Sequence, residues 1–180
     1  VINVQNGLLN MDTKELMAHT PDHVSFYQIS VDYDKDSVCP TWDKCMDDWM
    51  AGDESEEKKL LLQNYVGYIL SNTMKYHSSL FIVGDGINGK STFADTVAML
   101  VGEQATSHVS LTDLHKDFGL AEIFGKKLNV VEEIAGNKIF DSDIMKKVFS
   151  GEPVQANIKH QPMFQFLPQC KFIFSVNDVP

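Results

Sequence analysis

A three-layer α/β sandwich around a parallel sheet is the fold class this sequence predicts, on three observations. Four short runs, Leu80–Val83, His108–Leu111, Leu128–Val131 and Lys171–Val176, punctuate the second half of the 180-residue chain. Mostly or wholly apolar runs of this length suit parallel strands covered on both faces. A segment of helical period, Lys90–Leu100, follows the first run, so strand and helix alternate. Between that run and that helix lies a glycine-rich loop, Gly84, Asp85, Gly86, Ile87, Asn88, Gly89, Lys90, Ser91, leading into Thr92.

Taken in chain order, residues 1–40 form an acidic N-terminal segment with hairpin-like turns, marked by Asn6-Gly7 and by Asp12 to Lys14 between short apolar runs. Residues 41–77 change to helical period and are expected to form a small helical subdomain. Trp42, Cys45, Met46 and Trp49 share one face, with Asp43, Lys44, Asp47 and Asp48 largely opposite. Gly52 to Glu57 reads as a solvated loop entering a second helix, in which Leu61, Leu62, Tyr65, Val66, Ile69 and Leu70 repeat as a core-packing stripe. Residues 78–180 hold the four runs and the loop, and form the predicted core domain.

Composition narrows the partners. The net charge is −10, and residues 1–57, with 13 acids and 3 lysines, carry all of it. The rest of the chain is neutral and free to hold a local basic surface. All 15 basic residues are lysine. No apolar stretch reaches the roughly 18 residues of a membrane helix and no leader opens the chain, so a soluble protein is expected. The chain starts at Val1, which suggests a fragment of something longer. Cys39, Cys45 and Cys170 are odd in number, and the first two are too widely spaced for a zinc knuckle. Buried thiols in a reducing cytosol are expected instead.

The spacing Gly-x4-Gly-Lys-Ser is that of a phosphate-binding loop. Glycines let backbone N–H groups curl around phosphates, the lysine neutralises their outer charge, and the following helix points its positive dipole end at the same anion. The expected ligand is ATP, held by Gly84, Asp85, Gly86, Ile87, Asn88, Gly89, Lys90, Ser91 and Thr92, with the Ser91 hydroxyl on Mg2+.

Glu132 and Glu133 follow the third run. Taken alone, such a pair is more often simply solvated. Beside a phosphate loop it suits a metal-water site, Glu132 holding Mg2+ through its water shell and Glu133 orienting and deprotonating the attacking water. Asn177 ends the fourth run, where a neutral amide can donate to the γ-phosphate and accept from that water. Asn and Asp also form turns, and both roles can coexist. Between the third and fourth runs, Val154, Ala156 and Ile158, then Met163, Phe164 and Phe166, alternate around a tip bearing Lys159 and His160. In isolation that is a plain surface hairpin; in the middle of a ring it would track a phosphate backbone without reading sequence.

The order of these parts resembles the superfamily 3 helicase domain of phage and plasmid primase-helicases, a group related to the poxvirus-type replicative NTPase. The resemblance runs through Asn88 to Thr92, Phe118 to Lys126 leading into the Glu-Glu strand, Phe149 to Ala156 with Lys159, and Lys171 to Asn177 with Pro180. It is strong over residues 78–180 and weaker before them. It implies a P-loop core of the AAA+ class that assembles into a ring, hexameric in most members, and moves on single-stranded or forked DNA. By this resemblance Lys90, Glu132, Glu133 and Asn177 are catalytic, and Lys159 with His160 contacts DNA. Replication proteins are implied partners, and the cytoplasm of a bacterial cell, with a phage, prophage or plasmid gene, is the implied setting.

The family also uses an arginine finger, a group worth about 10^3 to 10^5 in rate in related NTPases. This chain has no arginine and stops before the region expected to hold one. A truncated motor is expected, able to bind ATP but slow or inactive alone. Any priming activity would lie upstream of Val1. The alternatives are an AAA+ switch or loader that binds DNA without unwinding, and a small-molecule kinase, which the water-handling Glu-Glu and Asn arrangement disfavours.

Overall fold

The structure is a computed structural model and describes residues 1–86, 88–132 and 142–177. The chain divides into two compact units, Val1–Ser71 and Asn72–Pro180.

In the first unit, β1 (Ile2–Val4), β2 (Gly7–Leu9) and β3 (Leu16–Met17) form an antiparallel sheet in that order, with Val4 opposite Gly7 across the Asn6-Gly7 turn. Asn10 organises the next turn by accepting through Oδ1 from the backbone N–H groups of Asp12 and Thr13. Two helices follow, α1 (Pro40–Trp49) and α2 (Ser55–Leu70). Proline suits the start of α1, because the first N–H groups of a helix have no partner within it. Met46 is the fully buried residue of the α1 face, and the Trp42 and Trp49 rings meet edge to face at 6.1 Å. In α2 the buried residues are Leu62, Tyr65, Tyr68 and Ile69, whereas Leu61 is exposed. Burial of Leu62 and Ile69 fixes the inward face, and Leu61 lies about 100° from Leu62 around the helix. Lys59 ties the helices together with ion pairs to Asp47 and, at 2.8 Å, to Glu56. These bonds, Asp47 first, raise its pKa.

The second unit is built on four parallel strands, β4 (Leu80–Val83), β5 (Thr106–Ser107), β6 (Leu128–Glu132) and β9 (Lys171–Val176), in the order β4-β9-β6-β5. The helix α3 (Lys90–Val101) packs on β6 and β9 and buries Phe93, Ala94, Val97 and Val101. A second helix, α5 (Ser142–Ser150), and an antiparallel hairpin of β7 (Val154–Ala156) and β8 (Phe164–Phe166) complete the unit, together with the single turn α4 (Leu111–Leu114). Met145 and Val148 of α5 join Val154, Ala156 and Phe166 of the hairpin in one cluster with Val131, Phe172, Phe174 and Val176 of the sheet. All six residues of β9 are buried, as a central strand flanked on both sides requires.

One predicted strand is corrected. Residues 108–111 are not a strand: β5 ends at Ser107, and Leu111 already begins α4. Two side chains explain it. The Asn129 amide takes the place of a neighbouring strand, accepting from Val109 N–H and donating to Val109 C=O, both at 2.9 Å. Ser110 then caps α4 by accepting from the Asp113 N–H at 3.1 Å. The thiols are also corrected: Cys170 is buried, but Cys39 is exposed and Cys45 half-buried. Among the described residues, no helix is long and apolar enough to cross a membrane.

Candidate functional site

Parallel pairing brings Gly84, Glu132 and Asn177 to one edge of the sheet. Val83, the last residue of β4, lies opposite Val176, the last of β9, and the ladder runs one step further as Gly84 N–H donates to Val176 C=O at 3.2 Å. The loop therefore leaves β4 beside Asn177, which is exposed. On the other flank of β9, Glu132 pairs with Ser175. Glu132 is the final residue of β6 rather than the residue after it, and it is exposed. With strands spaced by about 4.8 Å and a rise of about 3.3 Å per residue, Gly84, two positions beyond the level of Glu132 and Ser175, lies roughly 12 Å from Glu132 across β9, the strand that Asn177 follows. This carboxyl edge is where parallel α/β sheets bind ligands.

Within the loop, Gly89 adopts a left-handed conformation with φ of 84°, which turns the chain into α3 without a steric penalty. Gly89 C=O accepts the first helical bond, from Phe93 N–H at 2.9 Å. No side chain caps this helix start and no acidic residue occupies its first turn. The early N–H groups and the positive dipole end therefore face the loop with no carboxylate from the helix's own first turn to compete. Lys90 folds back across the loop, its ammonium donating to the carbonyl oxygens of Gly84 and, at 3.0 Å, Asp85, and to Asn88 Oδ1 at 3.2 Å. Ser91 and Thr92 are exposed on the first turn of α3. Gly86 lies in the same loop and is exposed. Ile87 and Glu133 lie outside the described residues.

Lys159 and His160 are exposed at the tip of the β7–β8 hairpin, where His160 takes a left-handed φ of 65° and Gln161 N–H donates to Ile158 C=O at 3.0 Å. Ladder pairs Val154 with Phe166 and Ala156 with Phe164 turn one face of the hairpin to the core. Phe124 packs edge-on against Phe164 at 5.0 Å and Phe166 at 5.2 Å. The hairpin base is thus fixed by aromatic packing, and its basic tip projects to solvent.

Sequence reasoning missed the opposite edge of the sheet. Lys127 and Lys171 sit at the amino ends of β6 and β9, and both are buried. Lys127 donates to Asn72 Oδ1. Burial pushes its pKa down to about 7, with the nearby Lys171 charge adding to the effect. Burial likewise lowers Lys171 to about 8 and raises the Cys170 thiol to about 12. Lysine is ordinarily a surface residue, so the sequence carried no signal for this cluster. Asn129 was missed for a similar reason: its role depends on Ser107, which donates to Oδ1 at 2.8 Å, and on Val109, both about twenty positions away.

Comparison with known proteins places this geometry among relatives. The model of a family of unknown function, DUF5906, matches residues 82–180. A second model, described as D5 N terminal like, matches residues 1–51. No curated protein matches the chain. Among solved structures, the apo structure of the NrS-1 C terminal region (305-718) is similar with a TM-score of 0.63 and 15% identity. That likeness covers 76% of this chain and 33% of the NrS-1 chain. Another apo structure of the same region, called the A form, gives a TM-score of 0.62 at 16% identity, over 77% of this chain and 33% of the other. At such identity the likeness shows the fold. The chain spans about a third of the length of the structures it resembles.

Proposed function

The chain belongs to the DUF5906 family, and we propose that its second unit is the ATP-binding core of a replicative DNA helicase of the phage or plasmid primase-helicase type. In this reading the core is a three-layer phosphate-loop ATPase of the AAA+ superfamily 3 class, working as a ring on single-stranded or forked DNA. One observation carries it. The loop Gly84–Ser91 opens onto an uncapped helix start with the Lys90 ammonium drawn across it, at the sheet edge where Glu132 ends β6 and Asn177 follows β9.

The residues present fit ATP with Mg2+. A helix start with no acid in its first turn accepts an anion, the exposed Ser91 hydroxyl and Glu132 carboxylate are hard oxygen donors, and Lys90 supplies a point charge. Ser91 and Glu132 would hold the metal, whose charge would offset that of the phosphates. Lys90 neutralises the outer phosphates. Asn177 offers both an N–H donor and a carbonyl acceptor without adding negative charge, so it can orient a phosphate oxygen and a water together. Glu133 is assigned as the base that takes the proton from that water. The Lys159 and His160 tip supplies cationic contact to a DNA backbone.

The test is ATP hydrolysis with and without single-stranded DNA, together with fork unwinding, by the chain lengthened to match the solved region it resembles. DNA-stimulated hydrolysis and unwinding that are both lost in Lys90→Ala support a motor. Hydrolysis without unwinding indicates a switch or loader. Unwinding that survives Lys90→Ala contradicts the assignment.

A further inference from the structure

We propose that Asn88 is a positioning residue for the nucleotide, bracing the loop against Gly84 and aiming the Lys90 ammonium at the incoming anion. The inference rests on the phosphate-loop reading above, and it concerns how that loop is kept ready for its ligand.

An ammonium group has three N–H donors and no acceptor. Lys90 directs them at three oxygens, the carbonyls of Gly84 and Asp85 and the side-chain oxygen of Asn88. Two of these belong to the backbone. The third is on a rotatable side chain and is the one that a phosphate oxygen can displace. Asn88 Oδ1 thus marks the direction in which Lys90 meets an anion.

Because Oδ1 accepts from Lys90, the amide nitrogen faces the other way, and there it lies against Gly84. A methyl group added at Gly84 would overlap Asn88 Nδ2 and come within 3.4 Å of Cγ. Gly84 does not take a left-handed φ, and what a methyl there would meet is the end of the rotatable Asn88 side chain, which would have to swing off Lys90 to make room. The chain leaves Gly84, returns at Asn88, and the side chain closes the circle.

Without Asn88, the hydrogen bonds that hold Lys90 among the described loop residues are those to the carbonyls of Gly84 and Asp85. Ligand binding must then order the Lys90 side chain as well. A role of this kind predicts coupling between Gly84 and Asn88 that neither position shows alone.

The experiment measures MgATP dissociation constants for the wild-type chain, Asn88→Ala, Gly84→Ala and the double variant with both changes. Alongside, the rate of amine acylation at Lys90 is followed by mass spectrometry without nucleotide. Asn88→Ala is expected to weaken MgATP about 5- to 10-fold and to speed Lys90 acylation several-fold. Gly84→Ala, whose added methyl pushes the Asn88 amide off Lys90, should weaken binding by a similar factor, and the double variant should be little weaker than either single one. Unchanged affinity or acylation in Asn88→Ala overturns the proposal, as does a double variant whose loss is the product of the two single losses. If the wild-type chain binds no MgATP, or Lys90→Ala binds as tightly as wild type, the phosphate-loop reading fails and takes this proposal with it.

Discussion

Replacing Lys127 with methionine should stabilise the protein at neutral pH, by an amount that shrinks as pH rises. The side chain is 2% exposed, and burial lowers its pKa from 10.5 to about 7. One pKa unit corresponds to about 1.4 kcal/mol, so the gap is worth up to about 5 kcal/mol at pH 7 and below. Relaxation around the site and loss of the bond to Asn72 reduce the net gain of Lys127→Met to about 2–3 kcal/mol.

The sign follows from proton counting. Between pH 7 and 10.5 the unfolded chain keeps a proton on Lys127 that the folded chain has released, so folding stability rises with pH, by at most about 1.4 kcal/mol per unit. Lys171, lowered to about 8, acts in the same sense from that pH upward. Cys170 opposes both above pH 9, where the unfolded thiol ionises and the folded one, raised to about 12, does not. The clean window is therefore pH 7 to 9. Urea unfolding followed by circular dichroism at several pH values should show wild-type stability climbing through that window, and the advantage of Lys127→Met narrowing. An advantage that stays constant or widens with pH would refute the reasoning.

Other perturbations test separate parts of the structure. Asn129→Leu removes three hydrogen bonds, to Ser107 Oγ and to both backbone groups of Val109, and should cost about 2–4 kcal/mol in the same unfolding assay. Gly119→Ala drives a methyl into the Asp113 carbonyl, a backbone atom that cannot rotate away, and should lower stability by about 2 kcal/mol or more, seen as a fall of several degrees in Tm. Thiol labelling of the native chain at pH 8 should modify exposed Cys39 first and leave buried Cys170 unreacted until the protein unfolds. Lys159→Ala should weaken single-stranded DNA binding uniformly across sequences and reduce the slope of log affinity against log salt by about 1.

What could be read from the sequence follows a physical divide. Lys171–Val176 was legible residue for residue, because a central strand buried on both faces is written as a nearly continuous apolar run. Leu80–Val83 was legible in extent, although on this edge strand Phe81 and Val83 are exposed rather than buried. The start of α3 was legible because Gly89 and Lys90 belong to a spacing that fixes both a turn and a helix. The second strand was misplaced because its pairing is taken over by the Asn129 side chain, and a hydrogen bond between residues twenty positions apart leaves no local pattern. The turn from Phe118 to Lys126 was legible only as a resemblance. Its constraint, the close approach of Gly119 to Asp113, is a contact that composition does not reveal. At the candidate site, strand-end logic located Glu132 and Asn177 near the loop, since parallel strands place their carboxyl ends together. The tie from Asn88 to Gly84 left no mark in the sequence, because an asparagine in a glycine-rich loop has many possible roles.

The most direct test of the central claim is a crystal structure of the chain with Mg2+ and a non-hydrolysable ATP analogue. The account predicts the triphosphate lying along the loop from Gly84 to Thr92, its outer phosphates against the Lys90 ammonium, and the metal between the Ser91 hydroxyl and the Glu132 side of the sheet edge. A loop that stays closed on its own side chains at saturating analogue, or an analogue bound elsewhere, would contradict it.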